Sequence, residues 1–274
     1  MSAALRPIEI ARVSSSRADA ARDVAAVEEP LEIRLSDRPF LVIMRTPGAD
    51  RELTAGLLLA ERVIDGADDL GIIRHCVDPN GEHAPNVVNV VLAGRAAEKV
   101  DALVESRRAV AATSACGVCG RRTIEDLMYG VTTVSSSWRV SAALVHTLPV
   151  ALRAAQAAFA ETGGLHAAGL FDRDGRLVAS AEDVGRHNAV DKVIGTQVLM
   201  ERLPLEDRLL FVSGRAGYEI VQKALVARIP FVASVSAPSS LAIELARESG
   251  ITLLGFVRDG GFNIYAGAER IDVA

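Results

Sequence analysis

The second half of the chain sets the tightest limit on its fold. Short runs that are apolar almost throughout, Leu165–Phe171, Leu209–Ser213, Phe231–Val235 and Thr252–Val257, are separated by helix-length stretches at about Asp183–Arg202, Gly217–Ala227 and Pro238–Ser249. A strand that is apolar on both faces has to be covered on both faces. The alternation therefore predicts an α/β protein, with a mostly parallel sheet between two layers of helices. Asp174-Gly175 predicts a tight turn joining Leu165–Phe171 to a second strand at Arg176–Ala181.

Ligands of such sheets collect at the carboxyl ends of the strands. Four loops fall there: Glu182–Asn188, Ser213–Tyr218, Ser234–Ser240 and Arg258–Gly261. Each combines small residues, which let backbone N–H groups approach a ligand, with hydroxyl or Arg donors. Two of them lead into helix N-termini, where anions are stabilised. Gly185, Arg186, His187, Asn188, Ser213, Gly214 and Arg215 are accordingly candidates for holding a phosphate-bearing ligand. His187, between Asp183 and Asp191, suits either a capping cluster or proton transfer near neutral pH. His166 reads as a strand histidine with its hydrogen bonds satisfied. Neither a Walker A loop nor a complete Gly-x-Gly-x-x-Gly fingerprint occurs.

The first half reads differently. Residues 1–30 are rich in Ala, Arg and Ser, have no clear hydrophobic period, and are expected to be a disordered arm. Leu31–Leu35 and Phe40–Met44 read as a hairpin, Asp50 as the cap of a helix through Glu61, Ile72–Val77 and Asn86–Leu92 as strands, and Arg95–Glu105 as a charged helix. The expected organisation is an α+β region over 31–135, a polar Ser/Thr linker near 131–140, and an α/β domain over 141–274 that opens with one long helix from Ser141 to Thr162.

Half of the 274 residues are hydrophobic and 4% are aromatic, which suits a layered α/β protein. A net charge of −5 provides no general basic surface for nucleic acid. Charges or glycines interrupt every apolar run, so no membrane span is expected. Three cysteines do not make a secreted disulfide framework, and no secretory leader is apparent, so a cytoplasmic protein with reduced thiols is the expectation.

Two of those cysteines form a motif, Thr113-Ser-Ala-Cys116-Gly-Val-Cys119-Gly-Arg-Arg122. Thiols two residues apart on a Gly-flanked turn suit thiolate chemistry or metal capture better than packing, and Arg121 and Arg122 would favour the thiolate. A structural zinc needs four ligands, and the sequence has no second Cys-x-x-Cys to supply the rest. A thioredoxin-like pair would sit between a strand and a helix beside an aromatic residue. Thiol-based transfer is the leading reading. Cys76, inside an apolar run, reads as a small core residue.

Taken in order, Thr113–Gly120, Thr162–Gly169, Glu182–Lys192, Ser213–Glu219 and Gly255–Gly261 resemble the FdhD-type sulfurtransferases required for formate dehydrogenase activity. The resemblance covers the chain from about residue 31 to its end. It implies a cytoplasmic homodimer with a three-layer α/β/α, cytidine-deaminase-like core. It further implies an enzyme that accepts persulfide sulfur from a cysteine desulfurase and passes it to the molybdenum cofactor, in its bis(molybdopterin guanine dinucleotide) form, destined for the formate dehydrogenase catalytic subunit. No tightly bound metal is expected in the protein before it meets that cofactor. By position, Cys116 matches the persulfide carrier and Cys119 its companion, while Phe256, Val257, Arg258, Asp259, Gly260 and Gly261 match the segment associated with cofactor binding. Family members often carry a basic residue where this chain has Gly261.

A deaminase mechanism is excluded by the residues themselves. Zinc deaminases need His-x-Glu followed by Pro-Cys-x-x-Cys, whereas His166 is followed by Ala167-Ala168 and the cysteine pair comes earlier without a preceding Pro. The rival class is a non-catalytic chaperone that shelters the molybdenum cofactor, its cysteines holding zinc or inert.

Overall fold

The computed structural model describes residues 3–15, 17–77, 83–108 and 133–273. Cys116, Cys119 and the helix expected at Thr123–Met128 lie outside the described residues.

The first surprise is at the start of the chain. Residues expected to be a disordered arm form a hairpin, β1 (Leu5–Ser14) and β2 (Arg17–Ala26), antiparallel over ten paired positions. Its strands have no continuous apolar face. Glu9 stands opposite Arg22, and Arg12 opposite Asp19, so cross-strand charge pairs take the place of the hydrophobic period that would have announced it.

A second hairpin, β3 (Glu29–Leu35) and β4 (Arg38–Arg45), turns at Ser36 and Asp37, whose φ values of 49° and 64° make the tight turn that matches strand twist. Pro39 lies inside β4, next to a register shift in the pairing, rather than in the turn. Helix α1 follows (Asp50–Ala60), but Ala49 is its N-cap residue, because the Asp50 carboxylate is turned toward Arg45. Strands β5 (Leu70–Val77) and β6 (His83–Leu92) complete a four-stranded sheet ordered β4-β3-β6-β5. The charged helix expected at 95–105 is split into α2 (Gly94–Ala97) and α3 (Val100–Arg108). Cys76 in β5 is part-buried rather than a core residue.

The polar stretch expected as a linker is pinned to the fold. Val134 N–H donates to the Ser249 carbonyl at 2.7 Å, and Trp138 packs edge-on against Phe231 at 4.7 Å between ring centres. After β7 (Val140–Ser141), the expected long helix is broken at Ala155 and Gln156 into α4 (Ala142–Ala154) and α5 (Ala157–Thr162). The rest alternates as the sequence predicts: β8 (His166–Phe171), β9 (Leu177–Asp183), α6 (Arg186–Leu199), β10 (Leu209–Val212), α7 (Tyr218–Val226), β11 (Phe231–Ser234), α8 (Ser240–Ser249) and β12 (Thr252–Arg258). Strands β13 (Gly261–Ala266) and β14 (Ile271–Asp272) end the chain.

The main sheet runs β13-β12-β11-β10-β8-β9. Only the β10–β11 and β11–β12 pairings are parallel; β8 and β13 run against these strands, and β9, which shares their direction, pairs antiparallel with β8, so the sheet is mixed rather than mostly parallel. The reason is connection length, since a short turn can join only antiparallel neighbours. One face, with Phe171, Phe211, Phe231 and Leu254, is covered by Val145, Leu148 and Leu152 of α4. The other, with Leu170, Leu210, Val232 and Leu253, is covered by α6, α7 and α8. This is the expected three-layer α/β/α arrangement.

The two regions of the chain share one core. Leu31, Ile33, Val88 and Val90 of the four-stranded sheet belong to the same buried cluster as Leu210 and Val232, with α1 and α6 between them. Two glycines set how closely those helices cross: a Cβ on Gly56 would fall 1.9 Å from the Asp191 carbonyl oxygen, and one on Gly195 would fall 1.8 Å from that of Glu52.

Candidate functional site

The four loops singled out from the sequence do meet at one end of the main sheet. Strands β9, β10, β11 and β12 all finish there, and β8, running the other way, begins there at His166. The loops are tied to one another. Ser213 N–H donates to the Ala167 carbonyl at 2.9 Å while its hydroxyl oxygen accepts the Ala167 N–H at 2.8 Å, so the hydroxyl proton is left to donate elsewhere. Phe256 N–H reaches the Ser236 carbonyl at 3.3 Å, and Val235 N–H the Val212 carbonyl at 3.1 Å.

The Glu182–Lys192 motif divides into a structural half and an available half. Asp183 is fully buried: its carboxylate accepts the Gly185 N–H at 2.8 Å, the Thr46 N–H at 3.1 Å and an Asn188 amide N–H at 2.9 Å, and lies 2.7 Å from Lys192 Nζ. Asn188 also donates to the Met44 carbonyl at 2.8 Å, and Lys192 to that of Thr46 at 2.9 Å. These side chains fasten the end of β4 to the start of α6. Gly185 is required at its place because a Cβ would come within 2.8 Å of the Asn188 amide nitrogen.

Arg186 and His187 are the available half. Arg186 has no hydrogen-bond or ion-pair partner among the described residues, although its Nε is shielded from solvent. It starts α6, whose N-cap Gly185 contributes no side-chain cap, so first-turn N–H groups and a free guanidinium lie together. His187 Nδ1 stands 3.0 Å from a Glu219 carboxylate oxygen, a close contact without good hydrogen-bond alignment. Just beneath, Lys223 holds Asp191 at 2.7 and 2.9 Å, both side chains buried. Burial pushes the Asp191 carboxyl up to about 6, against the opposing pull of Lys223.

Gly214 is flanked by the His166 ring and by Arg186: a Cβ there would lie 3.3 Å from His166 Nδ1 and 3.8 Å from Arg186 Cδ. Burial, reinforced by the charges of Arg186 and His187, holds His166 below the ordinary histidine value, so the ring is neutral near pH 7. No partner for it occurs among the described residues. His166 is a strand histidine as expected, part-buried where β8 begins and lining the cleft described below. Arg215 is exposed beside this cluster.

The 256–261 segment is a strand end and turn. Phe256 adopts φ 54° at a register shift between Gly255 and Arg258, and this bulge turns Val257 into the core, where it is fully buried. The Val257 side chain therefore faces α4 and not the loops. The Arg258 guanidinium stands 5.6 Å from the centre of the Phe256 ring with its side chain half-exposed, and Asp259, Gly260 and Gly261 form the exposed link to β13.

Between this cluster and α4–α5 lies an open cleft of about 880 Å³. Its walls are mostly apolar, with Pro149, Val150, Phe159, Leu165 and Val235, and its polar groups are His166, Ser213, Gln156 and Arg153. Gln156 and Phe159 were not singled out from the sequence. Their signal is spatial: they are brought to the cleft by the break between α4 and α5, which composition does not reveal.

A profile of the FdhD/NarQ family matches residues 26–272, nearly the whole described fold and all four loops. The chain belongs to the FdhD/NarQ family. Among its FdhD relatives, the sulfur carrier protein FdhD of Anaeromyxobacter sp. (strain K) is 49% identical over 256 residues, 91% of this chain and 89% of that one. The sulfur carrier protein FdhD of Mycolicibacterium paratuberculosis is 45% identical over 267 residues, 96% of this chain and 97% of that one. In three dimensions the FdhD/NarQ chain is similar to the crystal structure of a protein from Desulfotalea psychrophila provisionally assigned as a formate dehydrogenase accessory protein, with a TM-score of 0.75 at 25% identity, covering 98% and 99% of the two chains.

Proposed function

We propose that this protein is a sulfurtransferase that carries sulfur as a persulfide on Cys116, taking it from a cysteine desulfurase and passing it to bis(molybdopterin guanine dinucleotide) bound as substrate, for formate dehydrogenase. The reading extends to a cytoplasmic homodimer. It is supported by the names of its relatives and by the Cys116-Gly-Val-Cys119 motif.

The observation that carries the cargo half of the reading is Arg186, which has no partner among the described residues, at the start of α6, whose N-cap residue gives no side-chain cap, beside a cleft large enough for a heterocycle. A dinucleotide cargo brings several phosphates. The Arg186 guanidinium and first-turn N–H groups meet that charge locally in a chain whose net charge is −5. Arg215 and Arg258, both exposed at the same end of the sheet, are placed to add to it.

The sulfur half is a displacement. The Cys116 thiolate attacks the outer sulfur of the donor persulfide; a new S–S bond forms on Cys116, the donor's S–S bond breaks, and the donor cysteine leaves as its thiolate. No electrons are gained or lost overall.

The test is loading with a desulfurase, cysteine and labelled sulfur, followed by mass spectrometry for an added ~32 Da on the Cys116 peptide. Label on the wild type and none on Cys116→Ser is the expected result. An unlabelled wild type that contains one equivalent of zinc would favour the sheltering chaperone instead.

A further inference from the structure

Hairpin β1–β2 is a ribbon of ten paired positions that belongs to neither of the larger sheets. The body of the protein meets it at its base, where a Cβ on Gly164 would lie 3.6 Å from that of Ala26, and where Val24, Ala25 and Ala26 are part-buried. Farther out along β2, residues 17–20, 22 and 23 are exposed and Ala21 is part-buried. A two-stranded ribbon is marginal in water by itself, and an open strand edge is a template for pairing with another chain.

The two edges of the ribbon differ. Val27 N–H donates to the Ala4 carbonyl at 2.9 Å, one position before the first strand pair, Leu5 with Ala26. Hydrogen-bonded and non-hydrogen-bonded pairs alternate along an antiparallel ladder, so the even residues of β1 and the odd residues of β2 bond to each other. The outward N–H and C=O groups then belong to Leu5, Pro7, Glu9, Ala11 and Val13 on one edge, and to Ala18, Ala20, Arg22, Val24 and Ala26 on the other. Pro7 has no N–H, which blunts the β1 edge. The β2 edge keeps all its donors, and no strand lies beside it among the described residues. Its Val24 N–H is met locally, donating to the Asp23 carboxylate at 2.8 Å.

We propose that β2 is the edge through which two copies of this chain pair, antiparallel about a two-fold axis at Ala20. A two-fold axis has to set outward residues opposite outward residues, so it passes through a residue rather than between two. Charge then selects the residue. An axis at Asp19, Ala21 or Asp23 sets carboxylate against carboxylate, one at Arg22 sets that residue against itself, one at Ala18 overlaps only a tip of the strand, and one at Val24 or beyond meets the covered base. An axis at Ala20 sets Arg17 opposite Asp23 of the second copy, twice, at non-hydrogen-bonded positions where side chains come closest. Asp19 and Arg22 then face Ala21 and Ala18. The result is one four-stranded sheet, β1-β2-β2-β1, with ladder bonds for the outward groups of Ala18, Ala20 and Arg22. The partner is a second copy because the charges that complement residues 17–23 are those of the same residues. This assignment rests on the homodimer reading above for the existence of that copy, and it adds the surface.

The test is sedimentation equilibrium of the full chain. The wild type should be a dimer. Ala20→Pro removes an outward N–H and leaves the bonds to β1 in place, and it should weaken dimerisation about tenfold. Arg17→Asp sets two carboxylates opposite each other at both ends of the pairing, and it should weaken dimerisation about tenfold at low salt. Combining Arg17→Asp with Asp23→Arg restores opposite charges and should return the affinity of the wild type. A monomeric wild type overturns the homodimer reading together with this assignment. A dimer of wild-type strength in Ala20→Pro or in Arg17→Asp keeps the homodimer and overturns β2 as its edge. A double variant as weak as Arg17→Asp overturns the register at Ala20. Persulfide loading of Cys116 is read separately by mass, so it can succeed while this assignment fails.

Discussion

Lys192 Nζ stands 2.7 Å from the Asp183 carboxylate, and both side chains are shut away from solvent, at 4% and 0% exposure. Asp183 closes β9 and Lys192 lies in α6, while Thr46 from the first half of the chain bonds to both. The pair thus joins the two regions as well as positioning the loop that carries Arg186. Asp183→Ala leaves an ammonium buried without its counter-charge, along with the Thr46 and Gly185 N–H groups. A loss of about 3–5 kcal/mol is expected, read as a fall of roughly 10 °C in thermal midpoint. A loss below about 1 kcal/mol would mean that Lys192 reaches water in solution.

The same relationship explains what the sequence could and could not reveal. Strands β10, β11 and β12 were legible because Leu209–Val212, Phe231–Ser234 and Thr252–Val257 are apolar on both faces, a local property. The convergence of Glu182–Asn188 with Ser213–Arg215 was legible too, because strand ends in such a sheet share an edge. The direction of Asp183, Asn188 and Lys192 toward Met44–Thr46 was not, since it depends on a contact across some 140 positions. Hairpin β1–β2 was missed for the opposite reason: its pairing is local, but Glu9–Arg22 and Arg12–Asp19 replace the apolar alternation on which strand recognition depends. Gln156 was invisible because the break between α4 and α5 that brings it to the cleft has no local sequence signature.

The crossing of α1 and α6 predicts a second effect. A methyl group at Gly56 meets the Asp191 backbone at 1.9 Å, and backbone cannot swing aside as a side chain can. Gly56→Ala should cost about 1–3 kcal/mol or more by forcing the helices apart, despite alanine's better helix propensity. Denaturant unfolding checks this; a neutral or stabilising result would show that the helices are not so closely opposed.

Asp191 predicts a pH dependence with a definite sign. Burial raises its folded-state value to about 6, above the ordinary unfolded value near 4. Between these values the folded protein binds the extra proton, so this residue's contribution to stability increases as pH falls from about 6 to 4 and decreases as pH rises through that window. His187, Lys223 and Glu61 act on the same carboxylate. The measurement is the stability difference between wild type and Asp191→Asn, which cancels the other titrating groups. Wild type should gain on the variant from pH 7 down to pH 4; a flat difference would place the Asp191 midpoint at its usual value.

Arg186 is the arginine for which stability and function should separate most cleanly. With no acidic partner among the described residues, its guanidinium supports little of the fold, and Arg186→Ala should shift unfolding by no more than about 0.5 kcal/mol. If its charge meets cargo phosphate at the start of α6, the same substitution should weaken GDP binding about tenfold, since charge-assisted contacts to phosphate are the stronger class of hydrogen bond. The loss should shrink as salt is raised, because screening weakens the wild-type contact and leaves the variant little to lose. Arg186→Lys should recover part of the affinity, retaining charge without the planar fork. Unchanged affinity in Arg186→Ala, with folding intact, would remove this residue from the site and leave phosphate contact to Arg215 and Arg258.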